Sequence, residues 1–125
     1  MVDETYAEFA PDICDVTAIP YTKTYPNLMV LRGVSKFFAA PGMRLGYGIT
    51  GNRAFLAKMK EKQIPWSLNS IGAFAGEIMF RDQEYISRTR NLILSERDRM
   101  YREIKKLPAF KPYFPYANFL LLRIL

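Results

Sequence analysis

Histidine is absent from these 125 residues. That absence excludes Ser-His-Asp and Cys-His triads and every zinc site that needs an imidazole. There is a single cysteine, Cys14, so no disulfide closes within the chain and no all-cysteine metal cage forms. No metal site is expected, and a lone thiol fits a reducing cytoplasm. Long apolar runs are missing too. A membrane helix needs about 18 or more consecutive apolar residues, and the longest candidate, 118–125, is interrupted by Arg123. No membrane partner is expected. The opening Met-Val-Asp-Glu has neither a basic flank nor a small-residue cleavage site, so no signal peptide is read there.

What is present is a balanced soluble composition: 50% hydrophobic, 24% charged, net charge +6. The surplus is unevenly placed. Residues 1–51 carry four basic and five acidic side chains, whereas 52–106 carry twelve and seven. The basic stretch is mixed along helical patterns and lacks a Lys/Arg block interleaved with stacking aromatics. It reads as a solvated helical face, and no nucleic-acid partner is expected.

Two short apolar runs, 27–33 and 44–50, predict strands, the second punctuated by glycines where another group approaches the backbone. The ten residues between them are too few for a crossover helix, which predicts antiparallel neighbours. Asn52 predicts the cap of a helix through about Lys62, ended by Pro65. After the loop Pro65-Trp-Ser-Leu-Asn69, a helix sets Ile71, Phe74, Ala75, Ile78 and Met79 on one face. A long charged helix from Asp82 to about Lys106 follows, with a narrow stripe of Ile86, Ile93, Met100 and Ile104, and Pro108 stops it. The tail reads as one or two strands. Val2-Asp3 starts like the end of a strand and the last strand stops without turn residues, so both ends look cut from something larger.

Three segments gather chemistry at predicted strand ends, where open α/β sheets present groups to ligands. Asp3-Glu4-Thr5-Tyr6 puts an acid and a phenol three residues apart. Ser35-Lys36 lies just past one strand, and Arg44 follows at the head of the next. Singly, each has an ordinary explanation: a turn acid, a solvated lysine, an ion-pair partner.

Together, Asp3-Glu-Thr-Tyr6 and Leu31-Arg-Gly-Val-Ser-Lys-Phe-Phe-Ala-Ala-Pro-Gly-Met-Arg-Leu-Gly-Tyr47 resemble the cofactor-lysine region of the class I/II aminotransferase superfamily. Pro65-Trp-Ser-Leu-Asn69 and Ala117-Asn-Phe-Leu-Leu-Leu-Arg123 resemble the same family in the same order, so the likeness runs along essentially the whole chain. The resemblance implies an α/β fold: a fragment of the three-layer large domain, with a mainly parallel sheet and one antiparallel strand, plus the start of the small α+β domain. Residues 1–85 would be the end of the large domain, and 86–125 the connecting helix and first strands of the small one. The implied cofactor is pyridoxal phosphate.

The roles implied by the resemblance suit the residue types. Lys36 would hold the cofactor as an imine, lysine being the amine whose pKa falls readily on burial. Asp3 would keep the ring nitrogen protonated, and Tyr6 would hydrogen-bond the ring's phenolic oxygen. Ser35 and Arg44 would bind the phosphate, Arg44 with a fork geometry that lysine cannot reproduce. Arg123 aligns with an arginine that contacts substrate in relatives handling phosphorylated amino acids; a strand-edge surface charge is its other reading. Trp66 and Asn69 match a family loop near the dimer interface, or serve packing. The substrate would be a small amino acid or phosphorylated amine, and the full-length enzyme a homodimer. Family members take further phosphate ligands, a residue stacked on the ring and a carboxylate-binding arginine from segments outside these residues. The chain alone is therefore expected to be inactive.

Within the superfamily, Lys36–Tyr47 and Pro65–Asn69 look most like the threonine-phosphate decarboxylases. Histidinol-phosphate aminotransferases are similar but more often carry a small apolar residue where Pro41 stands and another aromatic where Trp66 stands. A different class of reading, a non-catalytic remnant kept as a binding module, is opposed by the intact Asp3, Lys36 and Arg44.

Overall fold

The computed structural model describes residues 1–125. The chain forms two compact units, residues 1–5 with 17–82, and residues 6–16 with 83–125.

In the first unit β1 (Val2–Asp3) lies parallel to β2 (Val30–Gly33), and β2 pairs antiparallel with β3 (Gly46–Ile49), in sheet order β1-β2-β3. The antiparallel pair is the one expected from the short connection. Both strands are shorter than predicted, for local reasons. Before β2, the Leu28 N–H closes a turn onto the Tyr25 carbonyl at 3.0 Å. Before β3, Arg44 adopts φ 50°, ψ 38°, a left-handed conformation that regular strand pairing does not accommodate, and the pairing begins at Gly46. The core of this unit is Val30, Val34 and Phe37, all fully or almost fully buried.

Helix α1 (Arg53–Glu61) starts where its capping residue predicts: Asn52 Oδ1 accepts the Phe55 N–H at 2.9 Å. Helix α2 (Ser70–Arg81) is capped by Asn69. Its apolar face is not its buried one. Ile71, Phe74 and Ile78 are 72%, 69% and 55% exposed, while Gly72 and Gly76 are buried. A Cβ at Gly72 would stand 2.9 Å from the Met43 carbonyl, and one at Gly76 2.4 Å from a Leu45 methyl. The helix therefore packs through its glycines, because the turn before β3 approaches closer than a side chain allows.

The second unit holds α3 (Gln83–Lys105) and an antiparallel pair, β4 (Phe110–Pro112) and β5 (Leu122–Ile124). The stripe residues Ile86, Ile93 and Ile104 are half-buried; Met100 is 43% exposed. Residues 6–16 pack here, with Phe9 and Ala10 buried and Arg90 Nε donating to the Glu8 carbonyl at 3.3 Å. Tyr101 meets Phe114 edge-on at 5.4 Å, consistent with a packing role. No helix is long and apolar enough to cross a membrane.

Candidate functional site

Asp3 stands at the end of β1 with its carboxylate exposed. The Thr5 backbone N–H donates to Asp3 Oδ1 at 2.9 Å, and the Thr5 hydroxyl donates to the same atom. These bonds, the hydroxyl's first, hold the Asp3 carboxyl below its usual range, so it is an anion at neutral pH. An aspartate that accepts the N–H two residues on makes an Asx turn, the ordinary turn role open to an acid at a strand end.

Glu4, one residue on, turns the other way and is buried. It accepts from Ala18 N at 2.5 Å, Thr17 Oγ1 at 2.9 Å, and Arg32 Nε and Nη2 at 3.0 and 2.7 Å. Burial alone would raise its pKa. The Ala18 N–H, Arg32 and Thr17 together outweigh burial and hold it below the ordinary carboxylate value. This anchor went unread in the sequence, since nothing in Asp-Glu distinguishes a ligand-facing acid from a buried one.

Ser35 and Lys36 occupy the turn after β2. Phe37 is buried beneath it, and Phe38 meets Phe37 and Phe80 of α2 edge-on at 5.3 and 5.4 Å. Phe80 in turn meets Tyr47 of β3 at 5.5 Å. This aromatic chain fixes the backbone on which Lys36 sits, while the Lys36 side chain is exposed. Arg44 closes the short helical turn Pro41–Met43, its Nη1 donating to the Pro41 carbonyl at 3.0 Å.

Asp3, Ser35 and Arg44 line one open cleft of about 450 Å³, with Thr5 beside Asp3 and residues of β2 and β3 forming its floor. The floor is thin in side chains: a Cβ at Gly33 would stand 3.2 Å from the Leu45 carbonyl, and one at Gly46 3.2 Å from that of Arg32. Lys36 follows Ser35 in the chain but does not line the cleft. A larger hollow, about 720 Å³, is walled by Met29, Phe55, Leu56 and Met59 with three lysines and carries no carboxylate or hydroxyl. The smaller cleft is thus the one with mixed chemistry: carboxylate, hydroxyl and guanidinium.

Tyr6 and Arg123 belong to the second unit. Tyr6 is 39% exposed and meets Phe119 edge-on at 5.5 Å. Arg123 is exposed on β5, directly across from Lys111 of β4. Asn69, besides capping α2, donates its amide to the Met43 carbonyl at 3.1 Å. Trp66 is 97% exposed, with φ 64°.

Comparison with known proteins gives the family of the chain. The profile of the family Aminotransferase class I and II matches residues 1–125. The chain is 37% identical over 123 residues to the threonine-phosphate decarboxylase of Salmonella typhimurium LT2, covering 98% of this chain and 33% of that protein. The solved histidinol-phosphate aminotransferase of Clostridium acetobutylicum superposes with a TM-score of 0.91 at 37% identity, over 98% of this chain and 36% of that one. The Sinorhizobium meliloti histidinol-phosphate aminotransferase, solved in complex with pyridoxal-5'-phosphate, superposes at 0.77 with 26% identity, over 96% of this chain and 32% of that one. The chain spans about a third of the length of the curated relatives it matches. With the match running end to end, the cleft of Asp3, Ser35 and Arg44 stands in a chain that belongs to the class I and II aminotransferases, a family of pyridoxal-phosphate-dependent enzymes.

Proposed function

We propose that this chain is part of a pyridoxal-phosphate enzyme acting on a phosphorylated amino acid or amine, with threonine-phosphate decarboxylation as the leading activity. One observation carries the reading. Three separate segments bring Asp3, Ser35 and Arg44 to a single cleft, with Lys36 next to Ser35. That donor set fits the cofactor at both ends: an ionised carboxylate for a protonated ring nitrogen, and a hydroxyl and guanidinium for a phosphate. The volume is in the range of about 300–1,000 Å³ usual for small-ligand sites.

When bound, pyridoxal phosphate supplies an electron sink for the charge left at the substrate Cα. The chain's own residues do the rest. Lys36 Nζ would be the amine that holds the cofactor and the base that moves a proton at the substrate Cα. Asp3 holds the ring-nitrogen proton, and Ser35 and Arg44 hold the phosphate. Tyr6 toward the ring oxygen and Arg123 toward a substrate phosphate enter on the family motif alone. In the same reading residues 1–85 end the large domain, 86–125 begin the small one, and the full-length enzyme is a homodimer.

Decarboxylase and aminotransferase differ in which bond at Cα is oriented for cleavage. The Lys36–Tyr47 and Pro65–Asn69 sequences support the decarboxylase. Histidinol-phosphate aminotransferase is the second reading, favoured by the 37% identity to its solved member, equal to that with the decarboxylase. The full-length protein, given pyridoxal phosphate, separates them. L-threonine phosphate should release CO2 without any keto acid acceptor. Amino transfer from histidinol phosphate to a keto acid, with no CO2 from threonine phosphate, overturns the decarboxylase reading.

A further inference from the structure

The turn that carries Arg44 is tied to α2 by both ends of one carboxamide. Asn69 Oδ1 accepts the Gly72 N–H at 2.5 Å and caps the helix. Asn69 Nδ2 donates to the Met43 carbonyl at 3.1 Å, immediately before Arg44. Gly72 leaves room for this. A Cβ there would stand 2.9 Å from both the Met43 oxygen and Asn69 Nδ2, and 3.0 Å from Asn69 Oδ1. Arg44 itself sits at φ 50°, ψ 38°, where L side chains are disfavoured and surrounding contacts must hold the backbone.

Capping does not need the amide nitrogen. Aspartate, serine or threonine would accept the Gly72 N–H as well, and aspartate would also suit the positive end of the helix. Only asparagine, of these capping residues, pairs that acceptor with an N–H donor for a carbonyl. We infer that Asn69 is a positioning residue for Arg44: its Nδ2 pins the Met43 carbonyl, so that the left-handed backbone at 44 is kept and the guanidinium stays at the cleft. The inference rests on the reading that Arg44 binds the cofactor phosphate.

The test uses the full-length protein and two ligands, pyridoxal phosphate and pyridoxal, with affinity read by absorbance and fluorescence titration and folding by thermal melting. Asn69→Asp keeps the cap acceptor, removes the donor and sets a carboxylate against the Met43 oxygen. It should weaken pyridoxal phosphate binding about tenfold, the lower end of what losing an orienting outer partner costs at metal sites. Pyridoxal affinity should be unchanged, and the melting temperature should fall only slightly, the protein remaining folded. Asn69→Ser, which keeps a cap acceptor on a shorter arm, is the second variant should the first fold poorly, and should show the same selective loss. In an Arg44→Ala background, Asn69→Asp should cause no further loss. If Arg44→Ala leaves pyridoxal phosphate affinity intact, the phosphate reading of Arg44 itself falls. If Arg44→Ala weakens binding but Asn69→Asp does not, positioning by Asn69 is overturned while Arg44 stands. Equal loss for both ligands, or additive loss in the double variant, also overturns it.

Discussion

Arg32 grips Glu4 Oε2 with two nitrogens, Nη2 at 2.7 Å and Nε at 3.0 Å, and so fastens the chain leaving β1 to β2. Both side chains are largely buried, 11% and 4% exposed. Its neighbour Asp3 lines the cleft instead. Successive residues of an extended chain point to opposite sides, so two adjacent acids have opposite duties.

Removing one partner of a buried pair strands the other, which costs about 3–5 kcal/mol. Glu4→Gln keeps some hydrogen bonding, and a loss of about 3 kcal/mol is expected in denaturant unfolding of the full-length protein. The pH dependence follows from the lowered Glu4 pKa. Its contribution is complete above the unfolded value near 4.5 and fades as pH falls through the lower folded value. Wild-type stability should therefore drop on acidification below about pH 4.5, and Glu4→Gln should flatten that drop. An unaltered acid limb in the variant would assign the loss to other carboxylates.

Asp3→Asn is expected to fold normally, because the side chain is exposed and bonded only to its neighbour Thr5. An opposite charge at contact shifts a partner's pKa by about 1–3 units. The neutral amide should accordingly lower kcat of the full-length enzyme about 10- to 1,000-fold. Near-normal turnover would make Asp3 a turn residue.

Borohydride treatment of the full-length protein with pyridoxal phosphate should fix the cofactor on Lys36. Peptide mapping checks this, and a label on Lys23 or Lys58 instead would end the assignment.

Lys111 and Arg123 face each other across β4 and β5, a like-charge pair that disfavours the hairpin. Arg123→Gln should stabilise that pair slightly, by a few tenths of a kcal/mol at low salt and less at high salt. If Arg123 grips the substrate phosphate, the same change should lower kcat/KM about 10- to 100-fold, the loss of one charge-assisted contact. Unchanged kinetics would return Arg123 to the surface.

The elements written in local pattern were legible in the sequence. The ten-residue spacing announced the antiparallel β2–β3 pair, and Asn52 announced the start of α1 to the residue. What escaped depends on distant partners. Nothing local says that Glu4 is buried against Arg32, or that 6–16 packs with α3 rather than with the strands around it. The α2 pattern marked Ile71, Phe74 and Ile78 as a face but was silent on Gly72 and Gly76, because a glycine contact is defined by what approaches it. For the site, Asp3, Ser35, Lys36 and Arg44 stood at predicted strand ends, and the family resemblance alone gave them roles. The fold adds that three of them share a cleft and that the lysine stands on a turn set by Phe37 and Phe38.

If Arg44 binds the cofactor phosphate as proposed, its left-handed backbone sets two kinds of selection against each other. An L side chain in that conformation costs about 1–2 kcal/mol, and glycine removes the cost while losing about 0.5–1 in chain entropy. Arg44→Gly should thus be stability-neutral or gain up to about 1.5 kcal/mol. A screen of variants by melting temperature alone would enrich glycine at 44, whereas a screen for retained cofactor would purge it. Sorting one library both ways, and sequencing codon 44 in each pool, would show whether heat tolerance and phosphate retention pull that position apart.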